Sequence, residues 1–263
     1  MSANPIPLAG ETNRAAETPI GIRALVFAYG LLAYAAFLAA LLYLVGFVAG
    51  LAVPKAIDDG APGGVAASIA VNVALIALFG VQHSVMARPA FKRVWTRVVP
   101  LPAERSTFVL VSCACLALLY WQWRPLPEIV WQVPAPIAPG IWALAALGWG
   151  MALLATFLID HFDLFGLRQT LRFATSRAYR APVFRERLLY RLVRHPLMLG
   201  FLIAFWAAPT MSRGHLLFAA TMTVYVLIAL VVEERTLVEL HGAAYLDYRR
   251  RVPKLIPGAR RRS

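Results

Sequence analysis

The stretch YRLVRHPLMLG, residues 190–200, sets Arg194, His195 and Pro196 directly against an apolar run. Proline disfavours a helical conformation for the residue before it and suits the first helical turn, so a helix is expected to begin at Pro196 with His195 as its cap-like neighbour. Open backbone N–H groups and the positive dipole end then point toward Arg194, a ready site for an anionic group such as a ligand carboxylate. Gly200, four residues on, leaves the same face bare. A second dense stretch, VVEERTLVELHGAAYLDYRRRVPKLIPG, runs from Val231 to Gly258. Glu233 and Glu234 end an apolar span, where an ionised pair is costly without partners, so at least one is expected to face a polar cavity, with Arg194 or Arg249 as its partner. On a following helix Leu237, Leu240, Ala244 and Tyr248 share an apolar stripe, and Tyr245 and Arg249, four apart, can approach one cavity together. The same segment also reads as an amphipathic interfacial helix with Arg249, Arg250 and Arg251 on lipid headgroups.

Histidine is the other chemical resource. His83, His161, His195 and His241 all fall at the ends of apolar spans, on one expected side of the membrane, and His215 falls on the other. A multi-histidine metal centre needs imidazoles three or four residues apart on a helix, whereas no two histidines here are closer than 20 residues. No metal is therefore expected. Acyl transfer is disfavoured because no serine sits in a G-x-S-x-G turn, and GWG at 148–150 lies inside a span where a dinucleotide-binding strand cannot form. Cys113 and Cys115 lie two apart in an apolar run, about 200° apart on a helix, which rules out a mutual disulfide or a paired metal site.

The elements that must hold these residues are set by hydropathy. The chain is 60% hydrophobic and 15% charged over 263 residues, far from a soluble balance. Apolar runs of membrane-crossing length cover Ala24–Val53, Val65–Val85, Thr107–Trp121, Ile141–Ile159 and His215–Val232. Leu197–Pro209, 13 residues, reads as a short sixth helix or as half of a re-entrant hairpin. With an inside N-terminus, 23 of the 26 basic residues fall inside and only Lys55, Arg124 and Arg213 outside. The net charge of +13 thus reflects topology and attraction to anionic membrane lipids, with no nucleic-acid partner needed. The first 22 residues lack a cleavable leader pattern, and the external linkers, rich in Pro and Gly, read as connectors. Gly46 and Gly50 permit close packing within the chain. The expected fold is an all-α polytopic membrane bundle of five to six transmembrane helices with a C-terminal cytoplasmic interfacial helix. It comprises a cytoplasmic tail (1–22), N-terminal transmembrane helices (23–160) and a C-terminal cofactor half (161–263), with both termini on the cytoplasmic side of a bacterial inner membrane.

RHPLMLG followed about 35 residues later by EERTLVELHGAAYLDYRRRVPKLIP resembles the C-terminal half of the isoprenylcysteine carboxyl methyltransferase superfamily over about 70 residues. Met198 stands where that family usually has tyrosine. VQHSVMARPAFKRVW, the ERS at 104–106 and HFDLFGLRQ at 161–169 are similar to the membrane-bound methanethiol S-methyltransferases, with parts shared by NnrU-type membrane proteins. The resemblance implies S-adenosylmethionine as methyl donor and a small thiol, methanethiol, as acceptor, converted to dimethyl sulfide. Other implied readings are methylation of a prenylcysteine carboxyl or a phospholipid amine, a more distant kinship with membrane sterol reductases, or a non-enzymatic NnrU-like membrane subunit.

Carried onto this sequence, the family's cofactor site involves His195, Pro196 and Gly200, completed by Glu233 or Glu234, Tyr245 and Arg249, with an arginine meeting the methionine carboxylate. A thiol is a poor nucleophile beside its thiolate, so a base or a pKa-lowering charge is needed. His83 or His161 supplies the base, His83 being preferred because it lies in the half that distinguishes the subgroup. Arg105 or Arg168 stabilises the thiolate and Tyr245 orients it.

Overall fold

The computed structural model describes residues 17–181 and 186–258. Residues 1–16 of the expected N-terminal tail, with Arg14, lie outside the described residues, as do Arg185 and Arg260–Arg262.

Five helices are long and apolar enough to cross a membrane: α1 (Ile20–Ala49), α2 (Val65–Met86), α4 (Leu101–Gln122), α5 (Ala138–Ile159) and α10 (Arg213–His241). Each of 22 or more residues spans about 33 Å or more, enough for the hydrocarbon core. Connecting them are α3 (Pro89–Trp95), α6 (His161–Leu164), α7 (Leu167–Ala174), α8 (Leu189–Leu192), α9 (Pro196–Trp206) and α11 (Ala243–Arg251), with two short strands, β1 (Ile129–Gln132) and β2 (Thr210–Ser212). The chain is an all-α polytopic membrane protein. Leucines such as Leu25, Leu42 and Leu147 are left exposed on the long helices, as lipid-facing surfaces require.

Two expected boundaries move for clear reasons. The span expected to reach Val53 stops at Ala49, because Gly50 turns to φ +69° and Leu51 N–H folds back onto the Gly46 carbonyl. Gly46 serves this turn: a side chain there would run into Val53 and the Leu51 carbonyl. The last span does not end at the glutamates. α10 continues to His241, carrying Glu233 and Glu234 inside a helix, and breaks at Gly242, φ +55°. The expected stripe is therefore shared by two helices: Leu237 is buried on α10 and Tyr248 on α11, while Ala244 is exposed.

The described residues fall into two compact units that interleave along the chain. The first is drawn from Met1–Leu42, Phe79–Ala117 and Ile159–Val183, the second from Tyr43–Leu78, Leu118–Leu158 and Phe184–Ser263. In the first, Gly30 sits against Thr170, and Gly166, at φ +87°, lets α6 and α7 turn tightly over Ser106. In the second, β1 pairs antiparallel with β2, so the 124–140 linker, read as a plain connector, forms a small ribbon with the segment between α9 and α10. Lys55 donates to the Trp121 and Trp123 carbonyls, Arg124 N–H to Asn72, and Arg213 N–H to the Glu128 carbonyl. All three basic residues assigned to the outside are thus tied into this ribbon and its neighbouring loops.

The short helix α9 has 11 residues, about 16 Å. His195 before it lies against Glu234 near the end of α10, and Phe205 near its end accepts a 2.9 Å bond from His215 at the start of α10. It therefore runs antiparallel along α10. Its close neighbour is α5: a Cβ on Gly200 would lie 2.6 Å from Ala152 N and the Gly148 carbonyl, and one on Gly148 2.7 Å from Ala204 N.

Candidate functional site

In the second unit, the chain before α9 is extended at Val193 and pairs with a distant segment: Arg194 N–H donates to the Pro253 carbonyl at 2.9 Å and His195 N–H to the Lys254 carbonyl at 3.2 Å. The VPK tripeptide is thus a backbone strap. It satisfies donors that would otherwise be buried without partners. Pro196 takes the first helical position as expected, but the His195 side chain makes no cap and turns instead to the glutamates.

Glu234, 5% exposed, is the centre of a buried charge cluster. Its Oε1 accepts from Arg194 Nε at 2.8 Å, lies 2.6 Å from Arg194 Nη2 and 3.3 Å from His195 Nε2, and its Oε2 lies 3.4 Å from Lys254 Nζ. Arg194 Nη1 donates to the carbonyls of Arg249 at 3.0 Å and Val252 at 2.5 Å. Each nitrogen of the Arg194 guanidinium is thus committed inside the protein. Arg194 is the partner expected for one of the two glutamates. Glu233 is the more exposed glutamate, its Oε2 3.8 Å from His195 Nδ1. The Arg249 guanidinium, half-buried, makes no hydrogen bond or ion pair among the described residues.

Tyr245 is buried with its hydroxyl toward Arg194 and the glutamates, and burial raises its pKa well above the ordinary tyrosine value, so it stays a hydrogen-bond donor. Tyr248 donates to the Tyr190 carbonyl at 2.6 Å, holding α11 to α8. Gly200 differs from expectation. Its bare face meets the backbone of α5 instead of a ligand.

The first unit holds His83, Arg105 and His161. The Ser112 hydroxyl donates to the Phe108 carbonyl at 2.9 Å and lies 3.3 Å from His83 Nδ1. Its single hydrogen is spoken for, an arrangement that suits the His83 tautomer with its proton on Nδ1. His161, buried on α6, has Nε2 2.9 Å from the Tyr34 hydroxyl, and burial lowers its pKa, keeping it neutral. Arg105, just ahead of the apolar run read from Thr107, lies in the first turns of α4; its Nε donates to the Leu164 carbonyl at 2.7 Å and its guanidinium lies 4.9 Å above the Phe108 ring. Arg168 pairs with Asp160, whereas Arg105 is held by the Leu164 carbonyl and lies within reach of the Glu104 and Asp163 charges. Lys92 lies 3.6 Å from Glu104, and its burial, with Arg105 beside it, brings its pKa down to about 8. Asp163 is pushed up by burial against the opposing hydrogen bond from Tyr179.

Residues 71–244 match the family model described as NnrU protein. The chain belongs to the NnrU family. The family match takes in His83, Arg105, His161, Arg194, His195 and both glutamates and stops one residue before Tyr245, leaving Arg249 and Lys254 outside it. Individual relatives extend further. Methanethiol S-methyltransferase 2 of Bradyrhizobium diazoefficiens is 52% identical over 243 residues, 92% of this chain and 94% of its own. Methanethiol S-methyltransferase 1 of the same organism is 48% identical over 90% of this chain and 83% of its own. The methanethiol S-methyltransferase of Mycobacterium tuberculosis is 49% identical over 89% of this chain and 97% of its own. No solved structure matches the chain.

Lys254, Tyr34 and Ser112 join these sites without being marked as site residues by the motifs. Lys254 stood inside the VPK motif, where its charge beside a glutamate-bearing helix end was the available signal. Tyr34 and Ser112 had none, because an isolated hydroxyl in an apolar run has no spacing pattern to read.

Proposed function

We propose that this protein transfers a methyl group from S-adenosylmethionine to a small thiol, methanethiol foremost, forming dimethyl sulfide on the cytoplasmic side of a bacterial inner membrane. The observation that carries the reading is the 48–52% identity, over about nine-tenths of the chain, to relatives named methanethiol S-methyltransferase.

The polar groups of the second unit fit the proposed cofactor. Its amino-acid end carries a carboxylate and an ammonium, and the Arg249 guanidinium and the partly exposed Glu233 carboxylate offer one group of opposite charge for each. The Arg194–Glu234 pair, His195 and the VPK strap act behind them, fixing the loop that presents this surface. Tyr245 adds a neutral hydroxyl donor. Bound there, S-adenosylmethionine supplies a methyl already activated by its positive sulfur, so the protein's own task is to align and deprotonate the acceptor.

In the first unit, His83 Nε2 carries the lone pair that takes the thiol proton, with Ser112 holding the ring through Nδ1. Arg105, resting on Phe108 and anchored by the Leu164 carbonyl, places positive charge where a thiolate develops. Membranes of a heterologous host given methanethiol and S-adenosylmethionine should release dimethyl sulfide into the headspace, and the His195→Ala variant should release none. Absence of dimethyl sulfide from wild type that binds the cofactor would move the search to larger thiols and to prenylcysteine or phospholipid acceptors.

A further inference from the structure

His83, Arg105 and His161 come from three different helices, yet each touches the same group of rings. His83 lies 4.8 Å from the Phe108 ring, centroid to centroid, and Arg105 lies 4.9 Å above that ring. Phe108 packs with Met86 and Val109, and Phe37, Phe165 and Cys113 pack against them. Phe37 and Phe165 are stacked with centroids 3.5 Å apart, and the His161 ring stands edge-on to Phe165 at 5.0 Å. These rings, with Met86 and Val109, thus form an apolar wall that carries both imidazoles within the first unit.

Packing alone does not account for this composition. Burying an imidazole against hydrocarbon is unfavourable relative to a leucine or phenylalanine of similar volume, and here His161 is buried on a wall that also carries the half-buried His83 imidazole and Arg105 guanidinium. A ligand that is apolar over most of its surface but loses a proton and gains negative charge at one atom would use every part. An alkyl thiol has that character: its carbon suits the rings, its sulfur makes favourable contacts with ring edges, and its thiolate suits the arginine.

We propose that Phe37, Phe108 and Phe165 line the binding site for the acceptor thiol, and that the stacked Phe37–Phe165 pair limits the acceptor to the shortest alkyl chains. This rests on the thiol methyltransferase reading given above. The stacked rings fill the room that a second or third carbon would need, so size and not polarity sets the selection. Discrimination by one methylene in such a pocket is about 10- to 200-fold.

The test measures thioether formation by wild type from methanethiol, ethanethiol and 1-propanethiol in competition, and repeats it with Phe165→Leu and Phe37→Leu. Wild type should fall at least about tenfold in kcat/KM with each added carbon, and either leucine variant should raise the ethanethiol-to-methanethiol ratio by about tenfold or more. S-adenosylmethionine affinity, read by calorimetry on the same preparations, should stay at the wild-type value. A wild type that accepts all three thiols equally overturns the proposal without any variant, and so does an active variant with an unchanged ratio. A wild type that methylates no thiol while binding the cofactor overturns the underlying reading, and the pocket assignment with it.

Discussion

In the second unit His195 is set against two carboxylates, 3.3 Å from Glu234 and 3.8 Å from Glu233, in a cluster that also contains Arg194 and Lys254. In the first unit His161 is set among Tyr34, Phe37, Phe162 and Phe165, and its Nε2 is hydrogen-bonded to a phenol. The two imidazoles are alike in sequence position, each next to a helix start. Their surroundings give them different work. One is a member of a charge network that holds a loop in place, and the other is a neutral ring beside a hydrophobic wall. Position at a helix end is therefore not what assigns a histidine its role; the side chains brought opposite it are.

The sharpest way to break that contrast is to remove charge from the second unit. Glu234→Gln leaves Arg194 buried without its counter-ion, a loss of about 3–5 kcal/mol where a buried pair is broken, and cofactor affinity should collapse with it. Thermal unfolding and calorimetric titration of the purified variant would show this, and an unchanged melting temperature would remove Glu234 from the centre of the network. His83→Ala should leave folding and cofactor affinity intact and lower turnover by about 100-fold, the loss of a general base. A wild-type rate in the headspace assay would end its role.

A third difference is one of pH. Burial holds the folded-state pKa of His161 below its ordinary 6.5, so the unfolded chain binds the proton more readily. The stability contributed by its neutral form is fully present above pH 6.5 and is lost as pH falls through the lower folded value. The slope is at most about 1.4 kcal/mol per pH unit. His161→Phe should flatten that part of the stability profile, and equal slopes for variant and wild type would count against a buried neutral ring. Smallest of all, Glu233→Gln should weaken S-adenosylmethionine binding by about tenfold or less, because this carboxylate is more exposed than that of Glu234 and lies farther from His195. A Glu233→Gln melting temperature as low as that of Glu234→Gln would erase the distinction between the two.

Much of the framework was legible because lipid imposes a simple code. Apolar length alone marked five spans, and Pro196 marked the start of α9 within one residue. The ends were less legible, since charge hides helix from a hydropathy reading: Arg105 and Glu104 sit in helical turns that precede the apolar run of α4, and Glu233 to His241 extend α10 past it. Gly200 was misread because a bare helix face looks the same in sequence whether it admits a ligand or a second backbone, and only the contact with Gly148 distinguishes them. Of the two glutamates, neither position could be ranked from sequence. Which one turns inward depends on where Arg194 and Lys254 arrive, and those residues reach the site through backbone bonds from Pro253 and Lys254 that leave no compositional mark.

That backbone pairing also orders events in the life of the chain. Arg194 and Val252 are separated by 58 residues, so during synthesis, which proceeds at about 5–20 residues per second, the arginine emerges several seconds before the carbonyls it must meet. Glu234 appears in the interval with Arg194 and His195 in place, Lys254 still to come and the strap unmade. A nascent chain interrupted before Val252 would already contain all five long helices and still display an unsettled acidic corner, a ready mark by which incomplete copies could be told from finished ones.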